Sequence, residues 1–146
     1  MGDAVGCEGG VGNQDARMAA CDAGMGWSPE GGTRWRLRRW VGEQSARRFV
    51  FQNEVGTAQK AHELGAIDLL VDEASLLDTA IAMANDWSSW GSHTKEATKH
   101  LLHVQADNDF GTHLDHERTL IEAAGTTEAF KEGVDAFLNK RSPEFK

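Results

Sequence analysis

The chain has 146 residues, enough for one domain with an apolar core, and its 40% hydrophobic content and mean hydropathy of -0.49 describe a soluble, globular composition. A formal net charge of -8 argues against generic affinity for nucleic acid, because phosphate binding needs a surplus of Lys and Arg on the contact face. Cys7 and Cys21 are too few for a disulfide framework and lack metal-ligand spacing, which suits free thiols in a reducing cytoplasm, and no apolar run has the length of a signal-peptide core or a membrane span.

In chain order, residues 1 to 33 hold more than half of the sixteen glycines and show no helical periodicity, so they read as turns, short strands and close backbone approaches. From Arg34 to Arg48 six arginines face only Glu43, a patch suited either to an anionic ligand or to plain solvation. Beyond Gly42 the chain reads as helices. Ala46, Phe49 and Val50 mark a first one, and Thr57 caps a short second, "AQKAHELG", which Gly65 closes. "AIDLLV" at 66 to 71 has the length and content of a strand ended by "DE".

Ser75 then opens a helix with an apolar stripe of Leu76, Leu77, Ala80, Ile81, Ala84 and Trp87. A long helical region follows from about Thr94 to Ala124, weakened around "DNDFG" at 107 to 111. Its expected buried positions are Leu101, Leu102, Val104, Phe110, Leu114, Leu120 and Ile121. "GTT" at 125 to 127 breaks the run and caps a final helix, whose Phe130, Val134, Phe137 and Leu138 fall at i, i+4, i+7 and i+8. Lys140 and Arg141 crowd its last turn, and Pro143 forbids continuation. Six histidines invite a metal reading, with His100, His103 and Asp107, or His113, His116 and Glu117, on one helix face. That signal is weak, since histidines three apart on helices are common.

Three stretches in order resemble the crotonase superfamily, the enoyl-CoA hydratase/isomerase group: "SPEGGTRWRLRRWVG" (28 to 42), "AQKAHELGAIDLLVDEASL" (58 to 76) and "EGVDAFLNKRSPEF" (132 to 145). The resemblance covers nearly everything from Ala16 onward, and "TRWRL" with "HLDHERTLIEAAGTTEAFKEG" is most similar to the branch of phenylacetate-pathway acyl-CoA isomerases. It implies an α+β, mostly helical fold. Residues 1–71 would be the C-terminal part of a ββα spiral core with a Gly-rich start, and 72–146 a helical trimerisation region.

What the resemblance implies chemically is an acyl-CoA thioester substrate, hydrated or isomerised through an enolate held by backbone amides. "GDAVGCEGG" (2 to 10) resembles the segment that supplies one such amide, which assigns it to Gly6, and Glu8 matches the catalytic glutamate beside it. Asp22, counted back from the "PEGG" turn, matches the second carboxylate, and Glu30 stands where some acyl-CoA isomerases carry an acid. Two carboxylates on one substrate can divide the acid and base roles. Phe137 would lie near the adenine and Lys140 near the CoA phosphates, reaching an acyl-CoA across a subunit boundary.

The implied partners are the acyl-CoA thioester and further copies of the chain, as a trimer or hexamer in the cytoplasm, without nucleic acid, membrane, metal or any cofactor beyond CoA itself. The interval from Glu8 to Asp22 is shorter than the family's and lacks its apolar strand, and an early oxyanion loop is absent. The chain therefore reads as roughly the C-terminal half of a crotonase with a rebuilt or eroded start. The rival reading is a non-catalytic helical oligomerisation or partner-binding module.

Overall fold

A computed structural model describes residues 7–19, 22–28 and 32–145. Two compact units follow one another, the first running to Ala82 and the second starting at Met83.

In the first unit the strands are short and paired in twos. β1 (Val11–Asn13) lies parallel to β4 (Leu69–Val71), in register Val11 to Leu69 and Asn13 to Val71. β2 (Arg17–Ala19) is antiparallel to β3 (Val55–Thr57), with Met18 opposite Gly56. Both pairs depend on glycine as a close-approach residue. A Cβ on Gly12 would stand 2.9 Å from Ile67 Cδ1, and one on Gly56 would stand 2.7 Å from Phe49 Cε1.

Three helices cover these strands. α1 (Thr33–Val41) buries Thr33, Leu37 and Val41, a stripe of strict i+4 spacing, while its four arginines lie off that stripe. Gly42, at φ 78° and ψ 159°, takes a conformation only glycine enters readily and turns the chain into α2 (Glu43–Phe51), which buries Ala46 and Phe49. α3 (Ala58–Glu63) starts as the sequence predicts: the Lys60 amide donates to the Thr57 hydroxyl at 3.2 Å, and Gly65 ends the helix at φ 78°. The core is Leu37, Val41, Ala46, Phe49, Ala61 and Ala66, with Met18, Trp40, Leu64 and Ile67 against it. Apart from Leu37, Val41 and Phe49 it is built from alanines, so helices and strands approach closely.

α4 (Leu76–Ser88) follows a 3-10 turn, Glu73–Ser75. In the second unit α5 (Ser92–Val104) and α6 (Phe110–Ala124) run antiparallel: His93 Nε2 lies 3.1 Å from the Leu120 carbonyl and His100 Nε2 lies 3.4 Å from His116 Nδ1. α7 (Glu128–Leu138) is capped by Thr127, whose hydroxyl accepts from the Phe130 amide at 3.1 Å. The fold is α+β and mostly helical.

Several sequence expectations need correction. The stretch 34 to 41, read only as a charge patch, is α1. The strand expected over 66 to 71 is confined to Leu69–Val71, because Ala66 is drawn into the turn by its amide bond to the Ala61 carbonyl at 2.8 Å. α4 begins at Leu76; Ser75 sits in the preceding turn with its hydroxyl on the Asp72 carbonyl. The region from Thr94 to Ala124 is two helices, since the Asp109 carboxylate caps a new start by accepting from the Thr112 amide at 2.9 Å. Of the positions expected to be buried there, Leu102, Phe110, Leu114 and Ile121 are exposed, and Leu101, Val104 and Leu120 are half-buried. Periodicity identifies an apolar face, but not what covers it.

Two predictions follow from this packing. Leu37→Ala should lower stability by about 3 kcal/mol, read from denaturant unfolding, because the surrounding alanines offer little side chain to refill the space. The Thr112 amide and hydroxyl hold the Asp109 carboxyl below the usual carboxylate range. The α6 cap thus contributes fully above the unfolded aspartate pKa near ~3.9 and is lost as pH falls through the lower folded value. Protection of the Thr112 amide, taken relative to its intrinsic exchange rate, should fall over that acid range, and Asp109→Asn should remove that fall while keeping the cap.

Candidate active site

The Gly-rich segment is tied to β4 before β1 begins. The Gly10 amide donates to Asp68 Oδ2 at 2.6 Å, and the Gly10 carbonyl accepts from the Asp68 and Leu69 amides at 2.9 and 3.3 Å. Glu8 sits just ahead of this anchor, on the surface. Asn13 Nδ2 donates to Glu73, and Gln14 Nε2 to Asp72 at 3.3 Å, so side chains fasten the far end of the β1–β4 pair as well. Gly6 and Glu30 lie outside the described residues.

Asp22 is half-buried and pairs with Arg34 of α1. Its carbonyl accepts from the Met25 and Trp27 amides at 3.2 and 2.8 Å, which closes the tight turn through Gly26 at φ 66°. A side-chain ion pair and a backbone turn thus fix the same residue. Arg34 Nε is buried without a hydrogen-bond partner, so the guanidinium is committed to Asp22 through one end only. Other arginines of the patch are also engaged. Arg47 Nε donates to Glu43 at 2.9 Å, and the Arg39 guanidinium carbon stands 3.3 Å from the centre of the Trp35 ring.

In the second unit the end of α7 brings Phe137 and Lys140 within one turn. Phe137 is 83% exposed, and Lys140 takes a left-handed conformation at φ 53°. Beside them is an open apolar pocket of about 330 Å³, lined among others by His93, Phe130, Val134, Phe137, Leu138 and Phe145. The chain after the helix folds back: Arg141 donates to Glu132 at 2.6 and 2.8 Å and to Asp135 at 2.6 Å. These carboxylates hold the Arg141 guanidinium still more firmly in its charged form. Sequence reasoning saw Arg141 only as a cation at a helix C-terminus. The signal it passed over is the pair of acids at 132 and 135, three apart and so on one helix side.

The two histidine groupings considered for a metal do not assemble. His100 meets His116 across the α5–α6 hairpin with ring centres 5.4 Å apart, and His113 lies 3.5 Å from Glu117. Among the described residues no three His, Cys, Asp or Glu side chains gather closely enough to hold a metal.

Residues 4–146 match the enoyl-CoA hydratase/isomerase family. The chain belongs to that family. It is 32% identical over 132 residues to 1,2-epoxyphenylacetyl-CoA isomerase of Escherichia coli K12, covering 90% of this chain and 50% of that protein. It is 30% identical over 140 residues to 2,3-dehydroadipyl-CoA hydratase of the same organism, covering 96% and 55%. Among solved structures, a putative enoyl-CoA hydratase/isomerase from Mycobacterium abscessus matches with a TM-score of 0.95 at 26% identity, over 99% of this chain and 56% of that one. The chain spans about half the length of the enoyl-CoA hydratase/isomerase relatives it matches. Among the described residues no helix is long and apolar enough to cross a membrane.

The Asp22–Arg34 pair is open to a double-mutant cycle. Asp22→Asn and Arg34→Gln, singly and together, should show a coupling of about 1 kcal/mol in denaturant unfolding, as befits a half-buried pair. Additive effects would mean that the pair contributes nothing to the turn.

Proposed function

We propose that this chain acts on a CoA thioester by hydration or double-bond isomerisation, and that it corresponds to the C-terminal half of its longer relatives. The observation that carries this is the family match over residues 4–146, which includes the segments bearing every site residue discussed above. The names of the two E. coli relatives, an acyl-CoA isomerase and an acyl-CoA hydratase, bracket the chemistry.

In this reading the Gly6 amide donates to the thioester oxygen as negative charge develops on it; such a donor, fixed and shielded from water, acts far more strongly than it would in water. For hydration, one carboxylate takes a proton from water while the water oxygen bonds to the β-carbon. The double-bond electrons move onto the thioester as an enolate, and the α-carbon then receives a proton from a carboxylic acid. For isomerisation, a carboxylate removes a proton from one carbon of the acyl chain and returns it to another through the same enolate. Glu8 is assigned one of these proton transfers, and Asp22 or Glu30 the other. Asp22, held by Arg34, suits the role of a fixed carboxylate more than one that must swing.

Phe137 offers an aromatic face to the adenine, and Lys140 a compact point charge to the CoA phosphates. Their exposure at the end of α7 supports a role in contacting something beyond the helix. No cofactor is required beyond the CoA of the substrate. The apolar faces of α4, α6 and α7, with Leu77, Ile81, Ile121, Phe130 and Leu138 all exposed, support assembly with further copies; a trimer or hexamer in the cytoplasm is the form this reading takes.

Those same faces favour the second reading, a non-catalytic helical module that buries them in a partner. A calorimetric titration with crotonyl-CoA, beside free CoA at fixed salt, separates the two. Saturable binding that prefers the thioester is expected, and Lys140→Ala should weaken it about tenfold without changing oligomer size. Binding of neither ligand by a chain that still assembles would leave the module as the better reading.

A further inference from the structure

The chain ends two helices with the same backbone device, and the difference between them is informative. At the end of α3 the Gly65 amide donates to the His62 carbonyl at 2.9 Å and the Ala66 amide to the Ala61 carbonyl at 2.8 Å, with Gly65 at φ 78°. At the end of α7 the Lys140 amide donates to the Phe137 carbonyl at 3.2 Å and the Arg141 amide to the Ala136 carbonyl at 3.0 Å, with Lys140 at φ 53°. This pair of hydrogen bonds is the motif whose left-handed position glycine fills by default, since it has no Cβ to clash with the following carbonyl. Asn139, a residue type that tolerates the left-handed region, stands next door at φ -89° with its amide nitrogen on Asp135. Lysine in this position is strained, and it persists only where surrounding contacts fix it.

Arg141 grips Glu132 through both terminal nitrogens and Asp135 through one. The Glu144 amide donates to the same Glu132 carboxylate at 2.7 Å. Phe145 closes the loop, with ring atoms 3.8 and 3.9 Å from where a Cβ would stand on Gly91 and Gly133, and a ring centre 6.3 Å from that of Trp90. Isolated exposed ion pairs add little. Here one fork-shaped guanidinium, two carboxylates, a backbone amide and an aromatic seat close a loop of a few residues around Lys140.

We infer that Arg141 and Phe145 form a latch that holds Lys140 in its left-handed conformation, which makes Arg141 a positioning residue for recognition of the phosphate end of CoA. The inference rests on the reading of Lys140 given under Proposed function. A cap serving the helix alone would do better with glycine at 140. Lysine at this position places an ammonium where glycine would give only an unstrained cap, and the latch fixes the backbone from which that ammonium extends.

The test uses the full chain, free CoA as the calorimetric probe, and amide exchange at Glu144 as a direct readout of the latch. Lys140→Gly should raise the melting temperature by about 3 °C while weakening CoA about tenfold. Arg141→Lys keeps the charge but loses the bidentate grip. It should accelerate exchange at Glu144 and weaken CoA several-fold, and combined with Lys140→Ala it should weaken binding no further than Lys140→Ala alone. Phe145→Ala, which leaves every charge in place, should reproduce the Arg141→Lys result and guards against misfolding of that variant. Faster exchange with unchanged CoA affinity in both latch variants, while Lys140→Ala does weaken CoA, would overturn the latch and leave the functional reading standing. Additive losses from Arg141→Lys and Lys140→Ala would overturn it too, by showing that Arg141 meets CoA directly. No CoA binding by the unaltered chain, or no loss on Lys140→Ala, would overturn the reading of Lys140 and the latch with it.

Discussion

The contact between Phe49 and Gly56 sets the spacing on which the rest of the first unit depends. Because a Cβ at Gly56 would come within 2.8 Å of two ring carbons, the strand after α2 can pass directly over the Phe49 ring and pair with β2 through Met18. That pairing delivers Thr57 to the start of α3, whose buried Ala58 and Ala61 face the core. Gly65 then turns the chain so that Ala66 enters the core and β4 runs beside β1. The Gly10 anchor to Asp68 and Leu69, and with it the location of Glu8 at the surface, stands at the end of this sequence of constraints. A candidate site residue on an irregular segment is thus located by a ring that packs on a bare backbone, far along the chain from it.

The second unit is held by different means. Its buried described residues are Gly91 and Ala136, so caps and the α5–α6 pairing stand out among what orders it. This separates what the sequence could disclose from what it could not. Caps are written locally: Thr57, Thr127 and Gly65 act within three or four residues of themselves, and their roles are legible from neighbours alone. Burial is not local. Leu102, Phe110 and Ile121 have the spacing of core residues and are exposed, because the amphipathic pattern specifies a face and says nothing about its cover. α1 was hidden for the opposite reason. Arginines at 34, 36, 38 and 39 drown a stripe of Thr33, Leu37 and Val41, which becomes visible only once Leu37 is found at the centre of the core.

At the site, residue types were legible and partnerships were not. Asp22 is marked only by the family resemblance, counted back from the "PEGG" turn, and that marking does not disclose its pairing with an arginine twelve residues on. Arg141 looks like an ordinary basic residue in a last turn, yet it reaches back nine and six residues to two acids. Such pairings join segments whose relative direction is decided by a turn, so they become readable only after the turn has been built.

The arginine patch shows why charge counts are a poor guide to anion sites. Six arginines against one glutamate make 34 to 48 the most basic stretch of an acidic chain, and by composition the first place to seek a phosphate partner. The fold spends much of that charge internally: Arg34 on Asp22, Arg47 on Glu43, and Arg39 on the Trp35 ring and carbonyl. A cation already paired and solvated gives up those interactions when it meets an anion, so its net contribution to binding is small. Lys140 is a single charge in an acidic neighbourhood, with Glu132, Asp135 and Glu144 close by in sequence, and on composition alone it would be passed over. Glu132 is occupied by Arg141 and by the Glu144 amide, and Asp135 by Arg141, in the same contacts that close the chain around Lys140. Under the reading of Lys140 as a contact for the CoA phosphates, its mark is a left-handed backbone that glycine enters more readily, together with two neighbouring acids already engaged by Arg141.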